Sequence, residues 1–248
     1  MNLLHKVIGF AHRGASAYEP ENTLRAFRRA VKMGVRGLES DARLSKDGYI
    51  VLVHDDTLAI DKQKIAVSEH TLTELQKIDV GLGEHIPRLE EVLEAFKSYD
   101  LWYSIDIKSP KAGMSIIEIA REYGLVERIG LCHPNFTILR SIRKIYPHAY
   151  LIMSTNFYQM GCSLKMLCEK CVREKISTIN LPFWDINITP EGISLIHSYG
   201  LRSFVWDVQK EEQMHHLITW GVDGLYSEYP DRLKRVIDKE DLHDSQKI

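Results

Sequence analysis

The chain has 248 residues, a formal net charge of −2 and a composition that is 44% hydrophobic and 27% charged. Such a chain can bury one large core, and its lysines and arginines are scattered, so we expect no nucleic-acid partner. No apolar run approaches the ~18 residues that a membrane span needs, and residues 1–9 lack the apolar core and cleavage site of a signal peptide, so we expect a cytoplasmic protein.

Apolar, β-rich runs alternate with helical patterns along the whole chain. The first run, at 7–11, precedes a helix predicted over 23–33, where Leu24, Phe27 and Ala30 lie on one apolar stripe. The other predicted strands are 37–44, 49–53, 102–107, 129–132, 149–153, 178–181, 203–208 and 224–227. The other predicted helices are 89–97, 115–123, 136–145, 190–199, 211–220 and 231–237.

The second and third predicted strands, 37–44 and 49–53, leave no room for a helix between them. The Asp47-Gly48 pair that follows the first of them is a strong signal for a tight antiparallel hairpin. A two-residue turn there sets His54 opposite Asp41, and a bulged turn shifts this pairing by one residue. In either register, we expect His54 to lie beside the side chains of the preceding strand.

Strand–helix alternation predicts a parallel sheet covered by helices. The run His12-Arg13-Gly14 after the first strand is not a dinucleotide-binding loop, and a strand count near eight favours a closed barrel over an open sheet. The predicted fold class is therefore α/β, a somewhat irregular TIM-type (β/α)8 barrel with a small insertion after the third strand. We expect one barrel domain over 1–238, the insertion at 57–86 near the barrel mouth, and a polar tail at 239–248 that frays.

The four cysteines include a pair with zinc-like spacing, Cys168 and Cys171, with Cys162 nearby. A structural zinc site would need a second pair, and the fourth cysteine, Cys132, is far away in the sequence. Residues 162–174 also have a helical pattern, in which cysteine behaves as a small hydrophobic residue. We interpret these cysteines as packing residues.

Glu39 and Asp41 lie two residues apart on a predicted strand, so their side chains share one face. Two carboxylates on the inner face of an apolar barrel are costly unless a cation neutralises them, and hard oxygen ligands suit Mg²⁺ or Ca²⁺. The alternative is that both face solvent or pair with Arg36 and Arg43.

Other polar side chains are expected at the same end of the barrel. His12 and Arg13 follow the first strand. Together with His54 they could form a phosphate site, in which Arg13 binds the phosphate and the two histidines act as general base and general acid. Asp106 and Lys108 share a face of the strand at 102–107, where they could complete a three-carboxylate metal site and bind phosphate. The alternative for this last pair is a mutual salt bridge at the barrel rim.

The order of these residues resembles the glycerophosphodiester phosphodiesterase family. The dense resemblance runs through His12-Arg13-Gly14, Pro20-Glu21-Asn22-Thr23-Leu24, Ala26-Phe27, Ala30, Gly34, Glu39-x-Asp41, Lys46-Asp47-Gly48 and His54-Asp55. Weaker matches follow at 87–93, Asp106-x-Lys108, Trp206, 221–224 and Tyr229-Pro230. The resemblance covers nearly the whole chain.

The resemblance implies a TIM-type barrel and one divalent metal ion, Mg²⁺ or Ca²⁺, with Mn²⁺ as a further candidate. It assigns roles position by position: the metal ligands are Glu39, Asp41 and Asp106, the acid–base pair is His12 and His54, and the phosphate-binding residues are Arg13 and Lys108. Glu21 and Trp206 are additional site residues, whereas Asn22 orders its loop and caps the following helix.

The sequence departs from the family pattern at the third ligand, where Asp106 replaces the usual Glu. Its shorter side chain withdraws the carboxylate by about one C–C bond, which could admit a water or change the metal preference. After His54-Asp55 the family pattern has an arginine-containing stretch, whereas 57–61 contains no arginine, so we expect no arginine contact from the insertion to the substrate.

The activity implied is metal-dependent hydrolysis of glycerophosphodiesters, such as glycerophosphocholine or glycerophosphoethanolamine, to sn-glycerol 3-phosphate and an alcohol. The nucleophile is either the adjacent glycerol hydroxyl or water. One alternative is a lysophospholipase D or phosphoinositide-type phosphodiesterase, which an apolar mouth of Leu58, Ile60, Phe183 and Trp184 would favour. Others are a non-catalytic barrel that binds phosphoesters and a structural protein with a salt-bridged rim.

Overall fold

A computed structural model describes residues 7–60 and 63–245 of the chain, and the fold is built around a closed barrel. The strands are β1 (Ile8–Ala11), β2 (Gly37–Leu44), β3 (Ile50–Leu52), β4 (Thr57–Ile60), β5 (Gln63–Ala66), β6 (Trp102–Ile107), β7 (Ile129–His133), β8 (Tyr150–Ser154), β9 (Thr178–Pro182), β10 (Arg202–Trp206) and β11 (Gly224–Ser227). Within the described residues, eight strands run parallel around the barrel in the order β1-β2-β6-β7-β8-β9-β10-β11, and β11 pairs with β1 to close it. The predicted TIM-type barrel is confirmed.

Helices follow most of the barrel strands and bury apolar stripes in a layer between helices and barrel. They are α1 (Leu24–Lys32), α2 (Leu72–Leu75), α3 (Leu89–Phe96), α4 (Pro110–Glu122), α5 (Phe136–Ile145), α6 (Phe157–Met160), α7 (Leu164–Arg173), α8 (Pro190–Ser198), α9 (Glu211–Thr219) and α10 (Pro230–Ser245). In α7, Cys168 and Cys171 are buried and free, as packing residues would be. No helix among the described residues is long and apolar enough to cross a membrane.

Two helices are longer than the sequence pattern predicted. Helix α4 begins at Pro110 rather than at 115, because the Ser109 hydroxyl accepts a hydrogen bond from the Ala112 amide and Pro110 suits the first helical position. Helix α10 continues to Ser245, so the expected helix end at 237 was wrong. His215 of α9 lies 2.5 Å from Glu240, which holds the extension against the barrel's helix layer. Residues 1–6 and 246–248 lie outside the described chain.

The lower half of the barrel interior is filled by aromatic side chains. Phe10 stacks on Tyr226 with ring centroids 4.6 Å apart, and Phe204 packs edge-on against Tyr226. Gly37 makes room for this layer, since a Cβ there would lie 2.4 Å from a ring carbon of Phe10. Because strand side chains alternate, the polar residues two positions further along each strand face the upper half of the interior.

Strand β3 pairs antiparallel with β2 outside the ring of eight. The register sets Ala42 opposite Leu52, and the Val53 amide donates to the Asp41 carbonyl at 2.9 Å. The two-residue turn that placed His54 opposite Asp41 was therefore wrong by one position. The turn contains three residues, with Gly48 at φ +90°, which is the bulged form of a hairpin.

The insertion between β3 and α3 contains structure that the sequence pattern did not resolve. Strands β4 and β5 form a separate hairpin, and α2 begins with a capping box between Thr71 and Glu74. Buried apolar side chains hold the insertion on the hairpin β2–β3: Val51, Val53, Val67, Leu75 and Ile86. Residues 61–62 and the side chain of Ile60 lie outside the described part.

Candidate active site

A cavity of about 180 Å³ opens at the carboxyl ends of the barrel strands. It lies above the aromatic layer, where polar ends of parallel strands meet. It is lined by His12, Arg13, Glu39, Asp41, His54, Ser104, Asp106, Cys132, Ser154, Asn180, Trp206 and Tyr226. The cavity therefore brings together most of the residues that the sequence singled out.

The two carboxylates of β2 point into the barrel rather than to solvent. Glu39 is 7% exposed and Asp41 is 2% exposed. The arginines that could have neutralised them at the surface have other partners: Arg36 pairs with Asp100, and Arg43 donates to the His54 carbonyl at 2.6 Å. Burying two carboxylates in an apolar barrel requires compensation from within the cavity.

Asp41 obtains that compensation from three side chains. Arg13 Nε lies 3.2 Å from one carboxylate oxygen, Lys108 Nζ lies 3.2 Å from the other, and Asn22 Nδ2 donates to Asp41 at 3.1 Å. Burial alone would raise the pKa of Asp41, but Arg13, Lys108 and the Asn22 hydrogen bond together hold that pKa below its usual value. Asp41 is therefore ionised.

Asn22 has a different role from the one expected for it. Its backbone is left-handed, with φ +57°, and its side-chain oxygen accepts a hydrogen bond from the Ser40 hydroxyl at 2.6 Å. The cap of α1 is Thr23, whose side chain accepts from the Ala26 amide. The prediction that Asn22 caps the helix was wrong, because its amide is turned inward to hold the carboxylate strand.

Glu39 is much less well compensated than Asp41. Its Oε2 accepts a hydrogen bond from the Arg13 backbone amide at 2.9 Å, and the nearest ion-pair partner among the described side chains is His12 at 3.7 Å. Burial and the neighbouring charge of Asp41 raise the pKa of Glu39 well above its usual value. A cation placed between these carboxylates would remove that penalty.

Arg13 links the buried carboxylates to the rim of the cavity. Its backbone has φ +56°, and its Nη1 donates to Glu21 Oε2 at 2.9 Å while Nε faces Asp41. Burial opposes the charged guanidinium, but the neighbouring carboxylates outweigh it and raise the pKa of Arg13. Glu21 thus lies at the rim, half exposed.

Asp106 lies beside Asp41 because the two are register partners on adjacent parallel strands. Lys108 bridges them, with Nζ 2.6 Å from Asp106 and 3.2 Å from Asp41. The salt bridge considered as an alternative is therefore present, with Asp41 as a third member. Within the described residues no three acidic, histidine or cysteine side chains are arranged as a metal cluster.

The donor set nevertheless fits a hard divalent cation. Glu39, Asp41 and Asp106 supply carboxylate oxygens from two neighbouring strands, which is the chemistry that Mg²⁺ and Ca²⁺ prefer. Burial and the charge of Asp41 raise the pKa of Glu39, and a cation beside the carboxylate would favour its charged form. A metal at these carboxylates would require Lys108 to leave its present contacts with Asp41 and Asp106.

The two histidines occupy unlike surroundings. His12 is largely buried, and burial, Arg13 and His54 lower its pKa to about 4, so its imidazole is neutral near pH 7. His54 is 43% exposed, and its Nδ1 lies 2.8 Å from Asp55 Oδ1. Since a carboxylate only accepts hydrogen bonds, this contact places an N–H at Nδ1 and leaves Nε2 for another partner.

The wall opposite the charged residues is neutral, and most of it was missed by the sequence analysis. Asn180 Nδ2 donates to the Ser154 hydroxyl at 3.2 Å, whereas Asn180 Oδ1 and Trp206 Nε1 are buried without a partner among the described residues. Buried polar atoms are rarely left in this state unless a water or ligand satisfies them. An asparagine in an otherwise apolar strand, on the inward parity, was the available signal.

Beyond Trp206 the mouth of the cavity is apolar and exposed. The Trp184 ring packs edge-on against Trp206 with centroids 6.2 Å apart. Exposed side chains of α6 and of the loop after β9 lie nearby, since the Phe157 amide donates to Asp185. We call these four side chains the aromatic rim: Phe157, Tyr158, Trp184 and Ile186. Of the expected apolar mouth, Trp184 is exposed, but Phe183 is partly buried against the core, and Leu58 lines a different cavity.

The chain is similar in sequence to one family of known proteins. Residues 12–232 match the model of the glycerophosphoryl diester phosphodiesterase family. A glycerophosphodiester phosphodiesterase of Caldanaerobacter subterraneus subsp. tengcongensis is 34% identical, over 94% of this chain and 99% of its own.

Solved structures agree with this match. The crystal structure of a glycerophosphodiester phosphodiesterase from Thermotoga maritima is 26% identical, with a TM-score of 0.78 over 91% of this chain and 96% of that chain. A phosphodiesterase from Oleispira antarctica, solved in complex with the product sn-glycerol-3-phosphate, has the same fold, with a TM-score of 0.81 at 22% identity over 93% and 96% of the two chains.

Proposed function

The chain belongs to the glycerophosphoryl diester phosphodiesterase family, and from this premise we propose that its cavity hydrolyses glycerophosphodiesters by histidine acid–base catalysis with a bound divalent metal. The proposal rests on the arrangement of side chains in the cavity at the carboxyl ends of the barrel strands. It sets two imidazoles and two cationic side chains, Arg13 and Lys108, around a pair of buried carboxylates.

The substrates proposed are glycerophosphocholine and glycerophosphoethanolamine, and the products are sn-glycerol 3-phosphate and the free alcohol. A phosphodiester carries one negative charge, which Arg13 and Lys108 can offset. The buried, unpartnered Asn180 Oδ1 and Trp206 Nε1 offer an acceptor and a donor on the neutral wall. These two atoms would form hydrogen bonds with the glycerol hydroxyls, on the side of the phosphate away from Arg13 and Lys108.

Glu39, Asp41 and Asp106 would hold the metal ion, Mg²⁺ or Ca²⁺, with Mn²⁺ as a further candidate. When bound, the ion supplies Lewis-acid stabilisation of negative charge on oxygen. Lys108, which now bridges Asp41 and Asp106, would then turn its ammonium group to the phosphate. Arg13 keeps its carboxylate partners and orients the same phosphate from the other side.

His12 fits the general base and His54 the general acid. His12 is neutral near pH 7, so its free ring nitrogen can accept a proton from the attacking group. That group is either water, which gives glycerol 3-phosphate directly, or the adjacent glycerol hydroxyl, which gives a cyclic phosphodiester that water then opens. His54 is held by Asp55 through Nδ1, so Nε2 would protonate the leaving alcohol.

Release of glycerol 3-phosphate from glycerophosphocholine tests this function. The protein is stripped with EDTA, and Mg²⁺, Ca²⁺ or Mn²⁺ is then added back. We expect product only with a metal, and none from the Glu39→Gln, Asp41→Asn double variant. Tight binding of the diester without turnover in any metal would instead establish a barrel that binds phosphoesters.

The aromatic rim favours a second candidate, hydrolysis of lysophospholipids by the same residues. Such a substrate carries an acyl chain on the glycerol, and the rim extends outward from Trp206 on the wall proposed to face the glycerol. Choline release from micellar lysophosphatidylcholine tests it, with Ile186→Ser as the variant and Ile145→Ser as a control, since these isoleucines are 61% and 55% exposed. A lower rate of choline release in Ile186→Ser alone would support this candidate. Equal rates in both variants would show that the aromatic rim does not bind the acyl chain.

A further inference from the structure

A second cavity, of about 150 Å³, lies directly behind His54. It is enclosed by the end of β3, the loop before α1 and the insertion. The insertion is anchored to that loop, since the Arg25 amide donates to Glu84 and Gly81 lies against Pro20. His54 lines both this cavity and the catalytic one.

The lining of this second cavity is apolar at its base and acidic at its edge. Leu58, Val80 and Ile86 contribute apolar side chains, and the carboxylates of Glu21 and Asp55 stand beside them, half exposed or more. Among the described residues that line it, none is lysine or arginine. Glu21 also pairs with Arg13 and Asp55 with His54, but both carboxylates stay accessible at the edge of the cavity. An apolar surface beside exposed carboxylates suits a ligand that is both apolar and cationic.

The position of His54 relates this cavity to the reaction. If His54 protonates the leaving oxygen, as the proposed function has it, the leaving alcohol must lie within hydrogen-bond reach of the imidazole. In the proposed function the phosphate and its cations, Arg13 and Lys108, would take up the catalytic side of His54. The second cavity adjoins the same residue from the other side and offers space for the body of the alcohol.

We propose that the cavity behind His54 is the leaving-group pocket and that Leu58, Val80, Glu21 and Asp55 select alcohols carrying an ammonium group. The proposal rests on the proposed function. It adds that the insertion recognises the leaving alcohol rather than the glycerol half of the substrate. It gives the insertion a part in substrate choice although 57–61 contains no arginine. Recognition there is by negative charge and apolar contact.

Two substrates with one difference test the selection by charge. Glycerophosphocholine and its neutral analogue, in which a carbon replaces the quaternary nitrogen (the ester of 3,3-dimethylbutanol), have nearly the same size and leaving-group shape. We expect kcat/KM for the choline diester to exceed that for the neutral diester by about tenfold, the effect of roughly one carboxylate at ~10 Å in a medium of intermediate polarity. The ratio of the two values is the readout.

Matched variants locate the selection within the molecule. Leu58→Lys places a cation in the pocket, whereas Ala59→Lys places the same charge on the opposite, exposed face of the same strand β4. We expect Leu58→Lys to bring the ratio close to one and Ala59→Lys to leave it unchanged. Val80→Lys is the second pocket variant, and thermal unfolding verifies that each variant is folded.

The outcomes separate this proposal from the function on which it rests. Equal hydrolysis of both diesters by the wild type, or the same ratio in Leu58→Lys and Ala59→Lys, would overturn the leaving-group pocket while leaving the hydrolase intact. Hydrolysis of neither diester with any metal would overturn the proposed function and the pocket together.

Discussion

His12 and His54 line one cavity, yet their surroundings make them chemically different residues. His12 is enclosed between Arg13 and the carboxylates, and its ring is neutral. His54 is half exposed and paired with Asp55. This difference follows from their positions, since one ends a barrel strand and the other ends the edge strand β3.

Removing each imidazole tests the roles proposed for them. We expect His12→Ala and His54→Ala each to lower kcat by about 10²–10⁴-fold, the usual contribution of a general acid or base. A diester with a p-nitrophenol leaving group needs no proton, so it should restore much of the rate in His54→Ala and little in His12→Ala. The same pattern in both variants would contradict the assignment of acid and base.

The lowered pKa of His12 also predicts how stability depends on pH. As the pH falls below the ordinary value of 6.5, the unfolded chain binds a proton that folded His12 does not bind until about pH 4. Unfolding is therefore favoured progressively over this range, by up to about 3 kcal/mol. Glu39, whose pKa is raised, acts with the opposite sign and loses its stabilising effect as the pH rises.

Urea unfolding in EDTA measures the His12 effect. We expect the free energy of unfolding of the wild type to fall from pH 6.5 to pH 4 more steeply than that of His12→Gln, whose side chain cannot be protonated. His216→Gln, a change on the surface of α9, is the control and should keep the wild-type slope. Parallel curves for wild type and His12→Gln would show that the buried imidazole does not resist protonation.

The sequence correctly predicted the orientation of side chains where that orientation depends on a single strand. Glu39 and Asp41 face inward because strand side chains alternate, and this needs no knowledge of other strands. Asn22 was misjudged because its partners, Ser40 and Asp41, lie on another element. Asn180 was missed for the same reason, since only the closed barrel brings β9 opposite β2.

The hairpin of β2 and β3 shows how one turn residue sets a register. The Asp47-Gly48 pair predicted a hairpin correctly, but a two-residue turn and the observed three-residue turn differ only in the backbone of the residues between Ser45 and Tyr49. Local composition does not distinguish the two forms strongly. The ends of helices were similarly uncertain, because α10 extends through contacts with α9 that its own sequence does not reveal.

The close packing of Gly37 against Phe10 predicts that a side chain at position 37 would destabilise the aromatic layer inside the barrel. Gly37→Ala would force its Cβ to within 2.4 Å of the ring, and we expect a loss of about 1–3 kcal/mol in unfolding free energy. Adding Phe10→Leu should recover part of this loss. Gly48→Ala, at φ +90° with open space around it, is the control, because Phe10→Leu should not relieve its backbone strain. A loss in Gly37→Ala that Phe10→Leu cannot reduce would contradict the packing explanation.

Across the whole molecule, charge at the barrel mouth links metal binding to stability. An ion that binds only the folded protein stabilises it by about 2.7 kcal/mol at a hundredfold excess over its Kd. We expect Mg²⁺ or Ca²⁺ to raise the Tm of the wild type measurably. Asp106→Asn should lose most of this rise, whereas Asp100→Asn, which removes a surface partner of Arg36 and Arg128, should retain it. An unchanged rise in Asp106→Asn would remove that residue from the metal site.

The pairing of β1 with β11 has a consequence for how the protein is made. The His12 amide donates to the Ser227 carbonyl at 2.9 Å, so the first and last strands of the barrel support one another directly beside the catalytic cavity. A ribosome delivers β11 only after almost all of the rest has emerged, and contacts between such distant parts of a chain form slowly. Until then the nascent barrel has two open strand edges, at β1 and at its most recent strand, where pairing with another chain is possible. Synthesis of the last barrel strand is thus the step that both completes the active site and closes the two open edges.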